Sequence, residues 1–388
     1  MATVPDPSTI VGMSVHSPAP PRPADHRPPT AATIGIAIVI GAVVACSPPA
    51  TTSPSASTSD SASPSPTGSP SPTGSPTTLC PLDGEPLAEG TELVEPALAV
   101  QIENDPAARP ARNLTRADIV IETLVEGDVT RFTAIFLCDE TDGLTGSIRS
   151  ARYHNIDLWQ DLHVLTIGFG ASDGALERFA DAEMPYPNGN DGGWPWYERV
   201  STREAPHNVY VDLEALRDDL DEDDRLIALA DEVDELRPPW TFSEDAVLPE
   251  DARGVTSLNI RTNSFWEFGW TWDADLGAYR RSDAGVEIDD EATDEPLAFT
   301  TLIVQRVTQE VVTGDPDPGG FDRRLQRLVG SGEGMLYAQG RAVEISWERP
   351  TAADRTTWTF TATGEPLVLP PGEIWWHILP DESIVTEG

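Results

Sequence analysis

Ala117-Asp118-Ile119-Val120-Ile121-Glu122-Thr123-Leu124-Val125-Glu126, Gly127-Asp128 and Val129-Thr130-Arg131-Phe132-Thr133-Ala134-Ile135-Phe136-Leu137-Cys138 form the stretch that decides the fold. Two runs rich in β-branched and aromatic residues flank a Gly-Asp pair, which is the pattern of a β-hairpin. A two-residue turn would pair Glu126 with Val129, Leu124 with Arg131 and Glu122 with Thr133. Arg131 would then lie diagonal to both Glu122 and Glu126 on one face. Ile121, Val125, Phe132, Ala134 and Phe136 would form the other, apolar face and so belong to the core.

Outward from the hairpin, Leu93 to Glu103 alternates as a strand until Asn104-Asp105-Pro106 breaks it. Ser150 to Asp161 reads as a helix with Ser150 as N-cap, followed by an apolar strand from His163 to Gly168. Asp173 to Ala182 and Asp212 to Asp221 are the other helical segments. Between Asp218 and Pro239 the chain turns acidic and then proline-rich, and helical periodicity ends. Short strand-like runs follow at Ser257 to Thr262, Trp266 to Trp272, Thr300 to Val312, Gly334 to Ala338, Ala342 to Glu348, Thr356 to Thr361 and Glu373 to Leu379. The expected fold class is α+β. A mixed α/β domain over residues 80–235 would precede a mainly antiparallel β domain over 236–388. The tryptophans of the second part read as β-core packing rather than as a platform for sugars.

The N-terminus sets the location. Ala31 to Ala45 is an apolar run preceded by Arg22 and Arg27 and ending in Val43-Val44-Ala45-Cys46, the pattern of a lipobox. The run is shorter than the ~20 residues a spanning helix needs, so residues 1–45 read as a lipoprotein signal peptide cleaved before Cys46, which would carry the lipid. An uncleaved anchor helix is the alternative and gives the same topology. The leader is long and weakly basic, and a start at Met13 would shorten it. Residues 46–79 are Ser/Pro/Thr-rich with a duplicated Pro-Thr-Gly-Ser-Pro, a composition unable to offset its ordering entropy. This tether, at ~3.1 Å per residue, could reach on the order of 100 Å. The expected location is the extracytoplasmic face of the cell membrane, with the membrane as partner through the lipid.

In that oxidising compartment the two remaining cysteines, Cys80 and Cys138, are expected to pair as a disulfide, the alternative being two buried thiols. The formal charge of −40 argues against a nucleic-acid partner. The chain contains no lysine, so every fixed positive side-chain charge is an arginine.

Ile102-Glu103-Asn104-Asp105-Pro106-Ala107-Ala108-Arg109-Pro110, Ala117-Asp118-Ile119-Val120-Ile121-Glu122, Val125-Glu126-Gly127, Thr130-Arg131, Ser147-Ile148-Arg149-Ser150-Ala151-Arg152 and Ala205-Pro206-His207-Asn208 occur in the order seen in the YerB-like bacterial lipoproteins, and the chain resembles that family. The resemblance runs roughly from Cys80 to Pro380. Its later part rests on Trp270, Tyr279-Arg280, Gly330 to Gly334 and Pro371-Gly372-Glu373-Ile374-Trp375. It implies a mixed α/β first domain, a β-rich second domain and a lipid anchor, and no reaction. Gly168-Phe169-Gly170-Ala171-Ser172 departs from the family pattern by lacking a second glycine before the serine.

The chemistry-bearing residues concentrate in positions 99–208. Arg149 and Arg152, three apart at the expected helix start, with Arg109 and Arg131, could receive a carboxylate or phosphate bidentately. Surface ion pairing in an acidic chain is the alternative reading. Glu122 and Glu126, four residues apart on a strand, would be about 13 Å apart, too far for a glycosidase pair, and read as holding Arg131 in place. His207, in Pro206-His207-Asn208, could bind ligand or act as general base, and a turn hydrogen bond is its plainer role. Ser172 lacks the G-x-S-x-G surroundings of an activated nucleophile. The ligand-binding candidates are therefore Asn104, Arg109, Glu122, Glu126, Arg131, Arg149, Arg152, His207 and Asn208, with Glu122 and His207 the candidates for acid/base work. No sequence pattern supports a metal or a cofactor. Two functions follow as expectations. One is a module binding a cell-wall glycan or an envelope protein through an Arg/Glu/His cleft; the other is an envelope hydrolase or lyase.

Overall fold

The structure, a computed structural model, describes residues 78–139, 141, 143–262 and 266–388. The signal segment, Cys46 and nearly all of the tether lie outside them. Within the first half, β1 (Leu98–Glu103), β2 (Ile119–Leu124), β3 (Thr130–Phe136) and β4 (Leu144–Gly146) precede α1 (His154–Leu162), β5 (Leu165–Ile167) and α2 (Asp173–Asp181). Then come β6 (Tyr197–Arg199), β7 (Val209–Asp212), α3 (Leu213–Glu222) and α4 (Asp224–Ala230).

The hairpin β2–β3 forms, but not with the expected register. Glu126–Asp128 make a short 3-10 turn with Gly127 at φ 71°, closed by Val125 N–H donating to Val129 O at 2.8 Å. The loop thus holds three residues rather than two, and the pairs are Leu124–Thr130, Thr123–Arg131 and Glu122–Phe132. A slip of one residue exchanges the faces of one strand relative to the other. Glu122 therefore shares its face with Val120, Phe132 and Ala134, while Arg131 stands on the opposite face, so the expected clamp of Glu122 on Arg131 does not exist. Nor is either face left to solvent, since every residue of β2 and β3 is buried.

The reason is the sheet they join. Its order is Thr357–Phe360, Arg341–Arg349, Gly330–Ala338, Thr301–Val307, Ile374–Pro380, β2, β3, β1, β5. Ile374–Pro380 runs parallel to both Thr301–Val307 and β2, so the sheet is mixed rather than antiparallel. The change in composition near residue 235 marks where helices stop, and the sheet itself runs across it. A second sheet lies in the order Val286–Glu287, Ala278–Asp283, Glu267–Asp273, Ser257–Arg261, Ile384–Glu387. The fold is thus dominated by sheet, with few helices, and the α-helices among the described residues all precede residue 231.

Alternation along the central strands divides the core in two. Val120, Phe132, Ala134 and Trp375 pack with Trp270, Tyr279 and Phe299 of the second sheet. Ile119, Ile121, Ile135 and Trp376 pack with Leu158 and Leu162 of α1 and with Trp240 and Trp358. Each fully buried large apolar side chain contributes roughly 1.5–3 kcal/mol. A disulfide joins Cys80 to Cys138, their Cα atoms 5.9 Å apart, and ties the segment before β1 to the end of β3.

Glu122 meets its charge partner across the first of these cores. Arg281, from Ala278–Asp283, donates Nη1 to Oε2 at 2.7 Å and Nη2 to Oε1 at 3.1 Å, both residues being buried. Trp375 Nε1 donates to Oε2 at 3.0 Å and Thr130 Oγ1 to Oε1 at 2.6 Å. The guanidinium also lies 4.5 Å from the Phe268 ring and 4.6 Å from that of Trp375. Trp270 Nε1 donates to His377 Nε2 at 3.0 Å, which leaves a neutral His377 with its proton on Nδ1, 3.3 Å from Glu122 Oε2. Burial, and then the Arg281 charge, push His377 well below the usual histidine range. Removing one charge of such a pair strands the other in a dry core. Glu122→Ala is expected to lower unfolding stability by about 3–5 kcal/mol, whereas Glu122→Ala/Arg281→Met should recover part of the loss. Urea titration of the two variants checks this.

Candidate functional site

The site forms where the hairpin tip meets the segment before α1. That segment is not helical as expected: α1 begins at His154, and Asn155 Oδ1 accepts from Arg152 N at 2.6 Å. Ser150 does not cap it, because its hydroxyl donates to Phe169 O at 3.2 Å. Arg149 is instead strung between β1 and the glycine-rich loop, its N–H donating to Gln101 O and its carbonyl accepting from Phe169 N. Arg149 and Arg152 thus reach the site from an extended strand of chain, not from one helix face.

They border a cavity of about 630 Å³ together with Glu103, Asp105, Glu126, Thr130, Arg131 and Ser150 and with Asp317, Phe321 and Arg323. Of the residues singled out in the sequence, Glu126, Arg131, Arg149 and Arg152 converge here. His207 stands at the rim, its Nδ1 3.0 Å from Glu103 Oε2, while Arg149 Nε lies 3.1 Å from Glu103 Oε1. Asn104 lies beneath the floor, donating Nδ2 to Thr130 Oγ1 at 2.7 Å.

The other candidates lie elsewhere. Glu122 is closed into the Arg281 pair, which removes it from acid/base work in this cleft. Arg109 pairs with Asp283, donates to the Asn104 carbonyl and covers the Trp266 ring. Asn208 is a turn residue, donating to Val200 O and accepting from Arg199. Ser172, by contrast, does border the cavity, but it caps α2 by accepting from Ala175 N at 3.2 Å, so its oxygen is engaged in backbone geometry. Arg323 was not singled out in the sequence, because it arrives from 197 positions beyond Glu126, to which it donates at 2.5 Å. Glu103 was visible only as part of the Ile102-Glu103-Asn104 string.

The electrostatics are graded. Arg152 donates to both oxygens of Glu126, with Nε to Oε2 at 2.8 Å. Burial alone would raise the Glu126 carboxyl, but the charge and hydrogen bond of Arg152, aided by Arg131, hold it down to about 2. Glu126 therefore serves Arg152 and Arg323 together, and Glu103 serves Arg149. Arg131 has no such partner: it is 5% exposed, donates Nη1 to Ser150 O at 2.9 Å, and its Nε has no acceptor among the described residues. Burial and then the Arg152 charge lower its pKa well below the ordinary arginine value, with Glu126 opposing. An anion entering the cleft relieves both the unmet donor and the crowding of positive charge. Among the described residues, the group of Cys80, Asp118 and Cys138 brings metal-ligand atoms together, and the disulfide occupies both sulfurs.

These features define a sheet-built scaffold with a cleft bordered by four arginines. Residues 82–225 match the N-terminal domain, and residues 257–376 the C-terminal domain, of the family described as protein of unknown function (DUF3048). The chain belongs to this family, that of the YerB-like lipoproteins. It is 27% identical over 285 residues to the lipoprotein YerB of Bacillus subtilis (strain 168), covering 73% of this chain and 81% of the relative. The crystal structure of Bacillus subtilis YerB superposes with a TM-score of 0.65 at 25% identity, over 80% of this chain and 99% of that one.

The cleft contributes an acid-sensitive part of the stability. Behind it, His154 is lowered to about 3 by burial and by the Arg152 and Arg131 charges, so it is neutral when folded and takes up a proton near 6.5 when unfolded. Stability is lost as pH falls from about 6.5 towards 3. Glu126 adds a loss as pH falls from its unfolded value near 4.5 to about 2. Relative to the unsubstituted chain, His154→Gln should gain on the order of a few kcal/mol of urea-unfolding stability between pH 6.5 and 4.5 and so change the slope there, the opposite contribution of the raised Asp83 and Asp118 being common to both chains. An unchanged slope would dismiss the His154 assignment.

Proposed function

We propose that this lipoprotein is a binding module of the cell envelope, held by a lipid on Cys46 at the extracytoplasmic face of the membrane. In this reading the cleft receives an anionic group, carboxylate or phosphate, of a cell-wall component or an envelope protein. Membrane association is supported by the lipoprotein relative. The lipobox and the tether carry the finer assignment of anchor and face. Among the described residues no helix is long and apolar enough to cross a membrane.

The observation that carries the reading is Arg131. A guanidinium buried beside a cavity, with one donor unmet and no ion-pair partner, costs stability. A ligand oxygen would meet that donor. Arg149, held at the rim by Glu103 and by a long contact to Pro206 O and partly exposed, can turn toward the same ligand. Charge-assisted hydrogen bonds of this kind contribute about 1.5–3 kcal/mol each.

A second reading, an envelope hydrolase or lyase, draws on His207. Its Nδ1 contact with Glu103 resembles a base oriented by a carboxylate. With Glu122 sequestered, His207 is the acid/base candidate that reading retains.

Incubating the full chain with purified cell-wall sacculi, and recording both pelleted protein and released fragments by mass spectrometry, separates the readings. Arg131→Ala is expected to weaken pelleting by roughly 10- to 100-fold in Kd, with no fragments released. Fragments that disappear with His207→Ala would establish the hydrolase. Neither pelleting nor fragments would transfer the cleft to a protein partner.

A further inference from the structure

The Cys80–Cys138 bond sits in surroundings that a mere staple does not require. Cys80 is buried, whereas Cys138 is partly exposed and borders a cavity of about 330 Å³ whose wall is Val94, Phe136, Leu137, Leu213 and Arg217 and which the acids Glu92, Asp139, Glu214 and Asp218 also border. Arg217 holds that wall by donating to Val94 O at 2.6 Å and Phe136 O at 3.0 Å, which places a positive charge where an incoming thiolate would arrive. At the buried end, Leu82 N–H points at Cys80 Sγ at 3.4 Å. Asp118 Oδ1 lies 3.6 Å from the same sulfur. A disulfide sulfur carries no hydrogen, so only a protonated Asp118 can bridge that gap. Its other oxygen accepts from Leu137 N at 2.7 Å and Cys138 N at 3.3 Å, which fixes the carboxyl against the bond.

Burial and then the Asp83 charge push Asp118 up to about 8, so it carries a proton at neutral pH. Asp139 adds to the effect, and Asp83 is itself raised to about 7 by burial, with Glu373 and Glu85 behind it. Arg217 is the nearby positive charge.

We propose that Cys80–Cys138 is an exchange-active disulfide, with Cys138 Sγ the atom attacked from the cavity, Cys80 the leaving group and Asp118 the acid that protonates it. The thiolate of an external dithiol attacks Cys138 Sγ, the Sγ–Sγ bond breaks, and its electron pair goes to Cys80. Leu82 N–H stabilises that thiolate until Asp118 delivers its proton. The second thiol of the dithiol, as thiolate, then attacks the mixed disulfide and releases Cys138 as thiolate. The dithiol leaves oxidised by two electrons, and the chain is left with reduced Cys80 and Cys138. The partner chemistry is a small dithiol without other negative charge, since the cavity beside Arg217 is also bordered by Glu92, Asp139, Glu214 and Asp218.

The test uses the full chain, with dithiothreitol for rates and glutathione for trapping under native conditions. Reduction should be first order in thiolate, faster than global unfolding, and the trapped glutathione should sit on Cys138. Asp118→Asn, whose carbonyl can still accept from Leu137 and Cys138, should slow reduction about 100-fold at pH 7, at the low end of general acid catalysis. Three results would each overturn the proposal: a rate independent of thiol concentration, glutathione found on Cys80, or an Asp118→Asn variant that folds and reduces at the normal rate. The first two need no variant, so they hold even if Asp118→Asn fails to fold.

Discussion

The rest of the structure depends on the bidentate pair of Glu122 and Arg281. It is a costly interaction, since two charges must leave water, and it persists because four donors meet the carboxylate and aromatic rings surround the guanidinium. The partners come from different sheets and from the two matched parts of the family. The pair therefore fixes how the second sheet lies on the first. Thr130, which donates to Glu122, also borders the cleft, so the pair sets the floor on which the arginines stand.

That floor gathers four arginines, Arg131, Arg149, Arg152 and Arg323, beside the acids Glu103, Asp105, Glu126 and Asp317 within a chain whose formal charge is −40. Its acids are engaged by name: Glu126 by Arg152 and Arg323, Glu103 by Arg149 and His207. Asp105 and Asp317 accept from the backbone of Ala107 and Phe321, and among the described residues Arg131 is the cleft guanidinium with no carboxylate at ion-pair distance. The surrounding negative field repels polyanions at large, while Arg131 favours a single anionic group that can reach the cavity, which gives selectivity through depth.

Strand and helix content was legible where the chemistry is local. The β-branched runs around Gly127, the helices near residues 154–162, 173–181 and 213–222, and the tryptophans as core all follow from residue type and spacing. The register of the hairpin was not, because Gly127-Asp128 supports either a two-residue turn or, as found, a 3-10 turn that draws in Glu126. That one-residue difference moved Glu122 from a proposed site into the core. Its true partner lies 159 positions away, beyond any local pattern. Arg131, Arg149, Arg152 and Glu126 were found together because the YerB-like strings kept them in view, whereas Arg323 carried no signal beyond being a basic residue after an Asp-rich turn. Arg109 and Asn208 resemble site residues in sequence and prove to hold loops.

The strand Ile374–Pro380 occupies the middle of the large sheet, between Thr301–Val307 and β2, with Ile119 opposite Ile374. A chain emerging from its N-terminus can assemble β1, β2, β3 and β5 early, yet the outer edge of β2 stays open until nearly the last residues arrive. Such long-range pairing slows folding and leaves an unpaired apolar edge in the meantime. Ile374–Pro380 thus works as a latch, and a chain cut short before it would expose the apolar edge of β2 that the finished molecule pairs.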